Sequence, residues 1–135
     1  MKKLVFIDDD PIDHYLMKHI LSGQNYFDIT TYTIYGSLVL DYIEEHKSEP
    51  EKLPDMIFLD LNTPDFTGRD FLKRMEGMQD EIEKNIPVFV MSSSLRPDDK
   101  AIGSRYPFVQ DFIGKPVNIG EIERIISSQS VTDSL

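Results

Sequence analysis

Four short stretches place reactive side chains directly after apolar runs. Asp8, Asp9 and Asp10 follow Leu4–Ile7, and Asp60 follows "MIFL" at 56–59. Ser92 follows "VFVM" at 88–91, and Lys115-Pro116 follow the weaker run "VQDFI" at 109–113. Three adjacent aspartates raise one another's pKa and destabilise a fold, so solvent, a helix N-terminus or a cation must offset them. Carboxylates gathered this way suit a hard cation. Magnesium is typically held by one or two carboxylates plus water and a phosphate oxygen. A lysine and a hydroxyl opposite the acids would bind the other oxygens of a phosphoryl group. One carboxylate is then left as a nucleophile, because aspartyl phosphate is an established covalent form. On this reading magnesium stabilises Asp8 and Asp9, while Asp10 caps a helix.

The elements that must position these groups alternate along the chain. Leu4–Ile7, Ile29–Ile34, Met56–Leu59, Val88–Met91 and Val109–Ile113 are short apolar runs, as expected of parallel strands covered on both faces. Amphipathic stretches lie between them. Asp10-Pro11 is a helix start, with aspartate as cap and proline at the first helical position. Ile12, Leu16 and Ile20 then recur four apart, with Met17 and Leu21 beside them. Ser37–Glu45 carries Leu38, Tyr42 and Ile43 at helical spacing, and Asp70–Met78 carries Phe71, Leu72 and Met75. Pro97–Tyr106 is polar and contains Gly103. Asn118 caps a last helix with Ile119, Ile122, Ile125 and Ile126 facing inward. Five β-α units predict an α/β fold, a doubly wound five-stranded parallel sheet with five helices and right-handed crossovers. Ligands of such sheets bind beyond the carboxyl ends of the strands, where all four reactive stretches fall.

Composition bounds the rest. The chain has 135 residues, 40% of them apolar, and no cysteine. That excludes disulfides, zinc–thiolate sites and cysteine nucleophiles. The net charge of −10 argues against nucleic-acid and anionic-membrane partners. No apolar stretch has transmembrane or signal-peptide length, so a cytoplasmic protein is expected. His14, His19 and His46 share no ligand spacing and are read as solvated. There is neither a P-loop nor a G-x-G-x-x-G stretch. Residues 1–128 are expected to form one domain and 129–135 a polar tail, with no output domain.

Together these residues resemble the receiver domain of two-component response regulators, stand-alone and similar to the chemotaxis response regulator. The acidic pair Asp8-Asp9, the "LDLNTP" loop with Asp60, the hydroxyl Ser92 and Lys115-Pro116 stand in that family's order. Their separations are 51, 32 and 23 residues, counted from Asp9 to Asp60, Ser92 and Lys115 in turn. The resemblance implies a flavodoxin-like three-layer sandwich with strand order 2-1-3-4-5. It implies Asp60 as phosphoacceptor, and Asp8, Asp9, Asp60 and the backbone carbonyl of Asn62 as magnesium (Mg2+) ligands. Ser92 and Lys115 would bind the phosphoryl group, Pro116 would follow a cis peptide bond, and Phe112 would occupy the aromatic switch position. The donor would be a sensor histidine kinase or a histidine phosphotransfer protein, and the output an unidentified downstream protein. The chain departs from the family's common pattern at Thr63 and Asp65. It also has serine rather than threonine at 92, and phenylalanine rather than tyrosine at 112.

Two alternatives remain open at this level. "VFIDDDP" also meets the Asp-x-Asp start of haloacid dehalogenase-type phosphatases, with Asp8 as nucleophile and Asp10 as acid/base. That reading lacks the threonine, since Ile12 holds its place, has only Glu121 and Glu123 after the lysine, and leaves Asp60 unexplained. The other alternative is a degenerate receiver that binds partners without being phosphorylated.

Overall fold

The structure, a computed structural model, describes residues 2–94 and 96–134, with 130–134 described by backbone alone. The chain alternates β1 (Lys3–Ile7), α1 (Pro11–Leu21), β2 (Ile29–Thr33), α2 (Gly36–Glu45), β3 (Met56–Asp60) and α3 (Gly68–Glu76). It continues with β4 (Val88–Ser92), α4 (Pro97–Lys100), α5 (Ile102–Arg105), β5 (Val109–Gly114) and α6 (Ile119–Ser134). The strands form one sheet in the order β2-β1-β3-β4-β5, every pair parallel. This is a flavodoxin-like three-layer arrangement.

The sheet buries both faces because successive side chains alternate. Val5, Ile7, Ile57, Leu59, Val88 and Val90 point to one face, where Leu40, Ile43, Phe71, Leu72, Met75 and Ile102 cover them. Leu4, Phe6, Phe58, Phe89, Met91 and Ile113 point to the other, under Met17 and Ile20 of α1 and Ile122, Ile125 and Ile126 of α6. Each such side chain stabilises the fold by about 1.5–3 kcal/mol. β3 and β4 are buried along their whole length, whereas β2, at the sheet edge, is only partly covered.

Local chemistry sets the helix starts. The Asp10 carboxylate accepts the Ile12 N–H at 2.9 Å, with Pro11 at the first helical position. Thr67 and Asp70 form a reciprocal capping box on α3, and Asn118 Oδ1 accepts the Glu121 N–H at 3.2 Å.

Several expectations need correction. Six α-helices are present among the described residues rather than five, because 97–106 breaks into two short pieces at Ala101, whose ψ of −4° leaves the α-helical path. Ile12, Leu38, Tyr42 and Ile119 are exposed despite their spacing. Ile12, Leu38 and Ile119 lie in the first turns of their helices. The last helix runs to Ser134, and Leu135 lies outside the described residues. No described helix is long and apolar enough to cross a membrane.

Candidate functional site

Parallel register brings the ends of the strands level. Leu59 lies opposite both Ile7 and Val90, and Ser92 lies opposite Gly114. Asp8, Asp60, Ser92 and Lys115 therefore meet at one edge. The backbone pairing runs on past the strands: Asp8 N–H donates to the Thr33 carbonyl at 3.0 Å, and Lys115 N–H to the Ser92 carbonyl at 2.9 Å. The peptide bond between Lys115 and Pro116 is cis.

Asp8, Asp60 and Ser92 are buried, while Asp9 is exposed at the rim. Asp8, Asp9 and Asp60 can each offer an oxygen within 4.8 Å of the others. Lys115 Nζ lies 2.8 Å from Asp8 Oδ2 and 3.1 Å from Asp60 Oδ2. Asp8 Oδ1 accepts the Asp10 N–H at 2.8 Å, but Asp8 Oδ2 accepts no hydrogen bond of good angle despite its charged neighbour.

The electrostatics point the same way. Burial pushes the Asp8 carboxyl up from 3.8 to about 7; Lys115 and the Asp10 N–H oppose the rise, and Asp60 adds to it. Asp9 is also raised, first by burial and then by its contact with Asp60. Lys115 loses some basicity to burial, but its bonds to Asp13 and Asp8 and the charge of Asp60 hold it above the ordinary lysine value. Two carboxyls raised first by burial and further by a neighbouring carboxylate, with a third acid in reach, match the donor set of a hard divalent cation.

The loops that carry these groups are tied together. Asn62 N–H donates to Asp60 Oδ1 at 3.1 Å, and its side-chain amide donates to Ser92 Oγ at 2.9 Å. Ser92 Oγ also accepts the Ser94 N–H at 3.0 Å. Gly68 fits closely behind Asp60: a Cβ there would lie 2.5 Å from Leu61 Cα and 2.7 Å from the Asp60 carbonyl oxygen. Phe112 is half-buried against the α2–α3 side of the core, away from the acidic cluster.

Two residues to which the sequence reading gave no role belong to the site. Asp13, on α1, is buried and accepts from Lys115 Nζ at 2.7 Å. An acid in the first turn of a helix reads as a dipole partner, so only the four-residue step from Asp9 to Asp13 hinted that it shares the site's face. His14 is half-buried rather than solvated; its Nε2–H donates to the Asp8 carbonyl at 2.5 Å, and its ring meets Phe6 edge-on. On the other flank Arg69 pairs with the buried Asp99, joining α3 to α4 beside Asn62.

Comparison with known proteins bears on the family and the fold. The family model for the response regulator receiver domain matches residues 4–127. The chain is 26% identical over 92% of its length to a protein-glutamate methylesterase/protein-glutamine glutaminase of Trichodesmium erythraeum, of which it spans about a third (33%). It is 24% identical to the polar-differentiation response regulator DivK of Brucella ovis, over 94% of each chain. Among solved structures it resembles the Mn2+-bound form of response regulator Rcp1, with TM-score 0.69, 25% identity, and coverage of 95% of this chain and 91% of that one.

Proposed function

The chain belongs to the response regulator receiver domain family of two-component signalling, and from that premise we propose that it accepts a phosphoryl group on Asp60 and signals through its surface. The supporting observation is Lys115 Nζ bridging Asp8 and Asp60, whose oxygens lie within reach of one another and of Asp9. The cation is read as magnesium, held by Asp8, Asp9, Asp60 and the Asn62 carbonyl. That Rcp1, a similar response regulator, has a Mn2+-bound form is in keeping with a divalent ion here. When bound, the ion would neutralise charge on the carboxylates and the incoming phosphoryl oxygens.

The chain's own residues carry the rest. An Asp60 carboxylate oxygen attacks phosphorus in line, an O–P bond forms, and the donor's P–N bond breaks with the electron pair leaving on imidazole. Lys115 balances charge on one phosphoryl oxygen. Ser92, whose oxygen accepts from the Asn62 amide and the Ser94 N–H, donates its free hydroxyl proton to another. That new bond would draw the loop after β4 inward and alter α4, α5 and the surroundings of Phe112. The ring starts half-buried and, having no hydroxyl, has nothing to fix it in an exposed position. Catalysis on this reading is confined to the chain's own phosphorylation and dephosphorylation. Its partners are a histidine kinase or phosphotransfer protein and a downstream protein, in the cytoplasm.

Against the phosphatase reading, Ile12 stands where that motif needs threonine, and that reading gives Asp60 no role although it is buried in the acidic cluster beside Lys115. Incubation with acetyl phosphate and magnesium should add one phosphoryl group by intact mass, labile to hydroxylamine. Equal uptake by the Asp60→Asn protein would rule the assignment out. No uptake by the unaltered chain, from acetyl phosphate or from a phosphorylated histidine donor, would favour the degenerate receiver.

A further inference from the structure

An ammonium has three N–H donors and no lone pair, so a largely buried one needs three acceptors. The Lys115 side chain is 13% exposed, and its three carboxylate neighbours are Asp13 at 2.7 Å, Asp8 at 2.8 Å and Asp60 at 3.1 Å. Asp8 and Asp60 belong with Asp9 to the acidic cluster; Asp13 does not. It reaches the lysine from α1, across 102 residues of sequence, and its side chain is as little exposed as the lysine's.

We propose that Asp13 is a positioning residue for phosphoryl transfer. It is the fixed counter-ion that holds Lys115 while Asp8 and Asp60 are given over to the cation and the phosphoryl group. The inference rests on the reading of Asp60 as phosphoacceptor. Once Asp60 becomes an acyl phosphate its carboxylate charge is gone, and Asp8 faces the cation. Asp13 is then the one carboxylate of the three still committed to the lysine. It aims the ammonium, on its flexible four-carbon stem, at a phosphoryl oxygen. Without it, Lys115 would lean further onto Asp8 and Asp60 and compete with the cation for the same oxygens.

The test uses the full chain with Asp13→Asn, which keeps the shape and removes the charge, and Asp13→Glu, which keeps the charge. Beryllofluoride mimics the bound phosphoryl group, and its affinity at saturating magnesium is read from amide shifts. Loss of one charge-assisted hydrogen bond predicts about tenfold weaker beryllofluoride binding by Asp13→Asn. Asp13→Glu should recover most of that loss. In a Lys115→Met background, Asp13→Asn should change nothing, because no ammonium remains to be aimed. Equal or tighter binding by Asp13→Asn in the otherwise unaltered chain overturns the proposal, as does the same loss with and without the lysine. A readout that needs no substitution covers the case of a variant that does not fold. The Lys115 ammonium N–H signal, protected by Asp13, should persist when magnesium and beryllofluoride are bound, and its loss there overturns the proposal. Failure of the unaltered chain to bind beryllofluoride would instead remove the phosphoacceptor reading on which the inference rests.

Discussion

Asp8→Asn should make the metal-free protein more stable at neutral pH. The Asp8 side chain is fully buried, and burial raises its carboxyl from 3.8 to about 7. A folded-state value above the unfolded one means that the native state binds the proton more tightly. The associated stability is complete below about pH 4 and is lost as pH rises through 7. A rise of about three pKa units at 1.36 kcal/mol each corresponds to about 4 kcal/mol lost well above pH 7. For a domain with a total stability of about 5–15 kcal/mol that is a large share. About 2.6 kcal/mol of that is lost between about pH 5 and pH 8, so with a urea slope of about 2 kcal/mol per molar the unfolding midpoint should fall by about 1.3 M over that range in chelator. Groups lowered in the fold do not act in this window: Asp99, held down mainly by Ser94 and then Arg69, loses its contribution only in acid. The chain has no tryptophan, so unfolding is followed by far-UV circular dichroism. Asp8→Asn should flatten the curve, and magnesium should restore the unaltered protein at about pH 8 by binding the native state alone. A midpoint that is level or rises from about pH 5 to 8 without metal, or an unchanged slope in Asp8→Asn, would refute the reasoning.

Other outcomes follow from the same geometry. Asp9→Ala should lose most magnesium affinity while leaving the core intact, because Asp9 is exposed at the rim; unchanged affinity in an amide-shift titration counts against the site. Gly68→Ala should destabilise by about 1–3 kcal/mol, measured by urea unfolding. It should also slow labelling of Asp60, since the added carbon would meet the backbone of Leu61 and Asp60 at 2.5–2.9 Å. Beryllofluoride should shift amides at Ser92–Ser94, through 97–106 and around Phe112. Shifts confined to the acidic pocket would place the output on another surface.

The chain order of apolar and β-branched runs was enough to place every strand, because each is a short run between helix signals. The edge position of β2 was not readable from "ITTYT" itself; it followed from the family resemblance, which also supplied the strand order. The reactive residues were found because ligands of open α/β sheets gather at carboxyl ends, and that rule converts positions such as Asp60 and Lys115 into neighbours. Asp13 was missed because an acid in the first turn of a helix already has an ordinary explanation, and only the packing of α1 turns it inward. His14 was missed for a related reason: its partner is a backbone carbonyl, which leaves no trace in side-chain spacing. The break between α4 and α5 is a matter of backbone angles at Ala101, a residue that favours helix elsewhere. Nothing in the spacing of Arg69 and Asp99 foretold their pairing, which depends on how α3 meets the loop after β4.

The central claim is that Asp60 carries the phosphoryl group, and reductive trapping tests it most directly. Protein treated with acetyl phosphate and magnesium is reduced with borohydride, which converts an acyl phosphate to the corresponding alcohol, and its peptides are then sequenced by mass spectrometry. The account predicts homoserine at position 60 and unmodified aspartate at 8, 9, 10 and 13. Homoserine at position 8 with aspartate intact at 60 would contradict it and return the phosphatase reading.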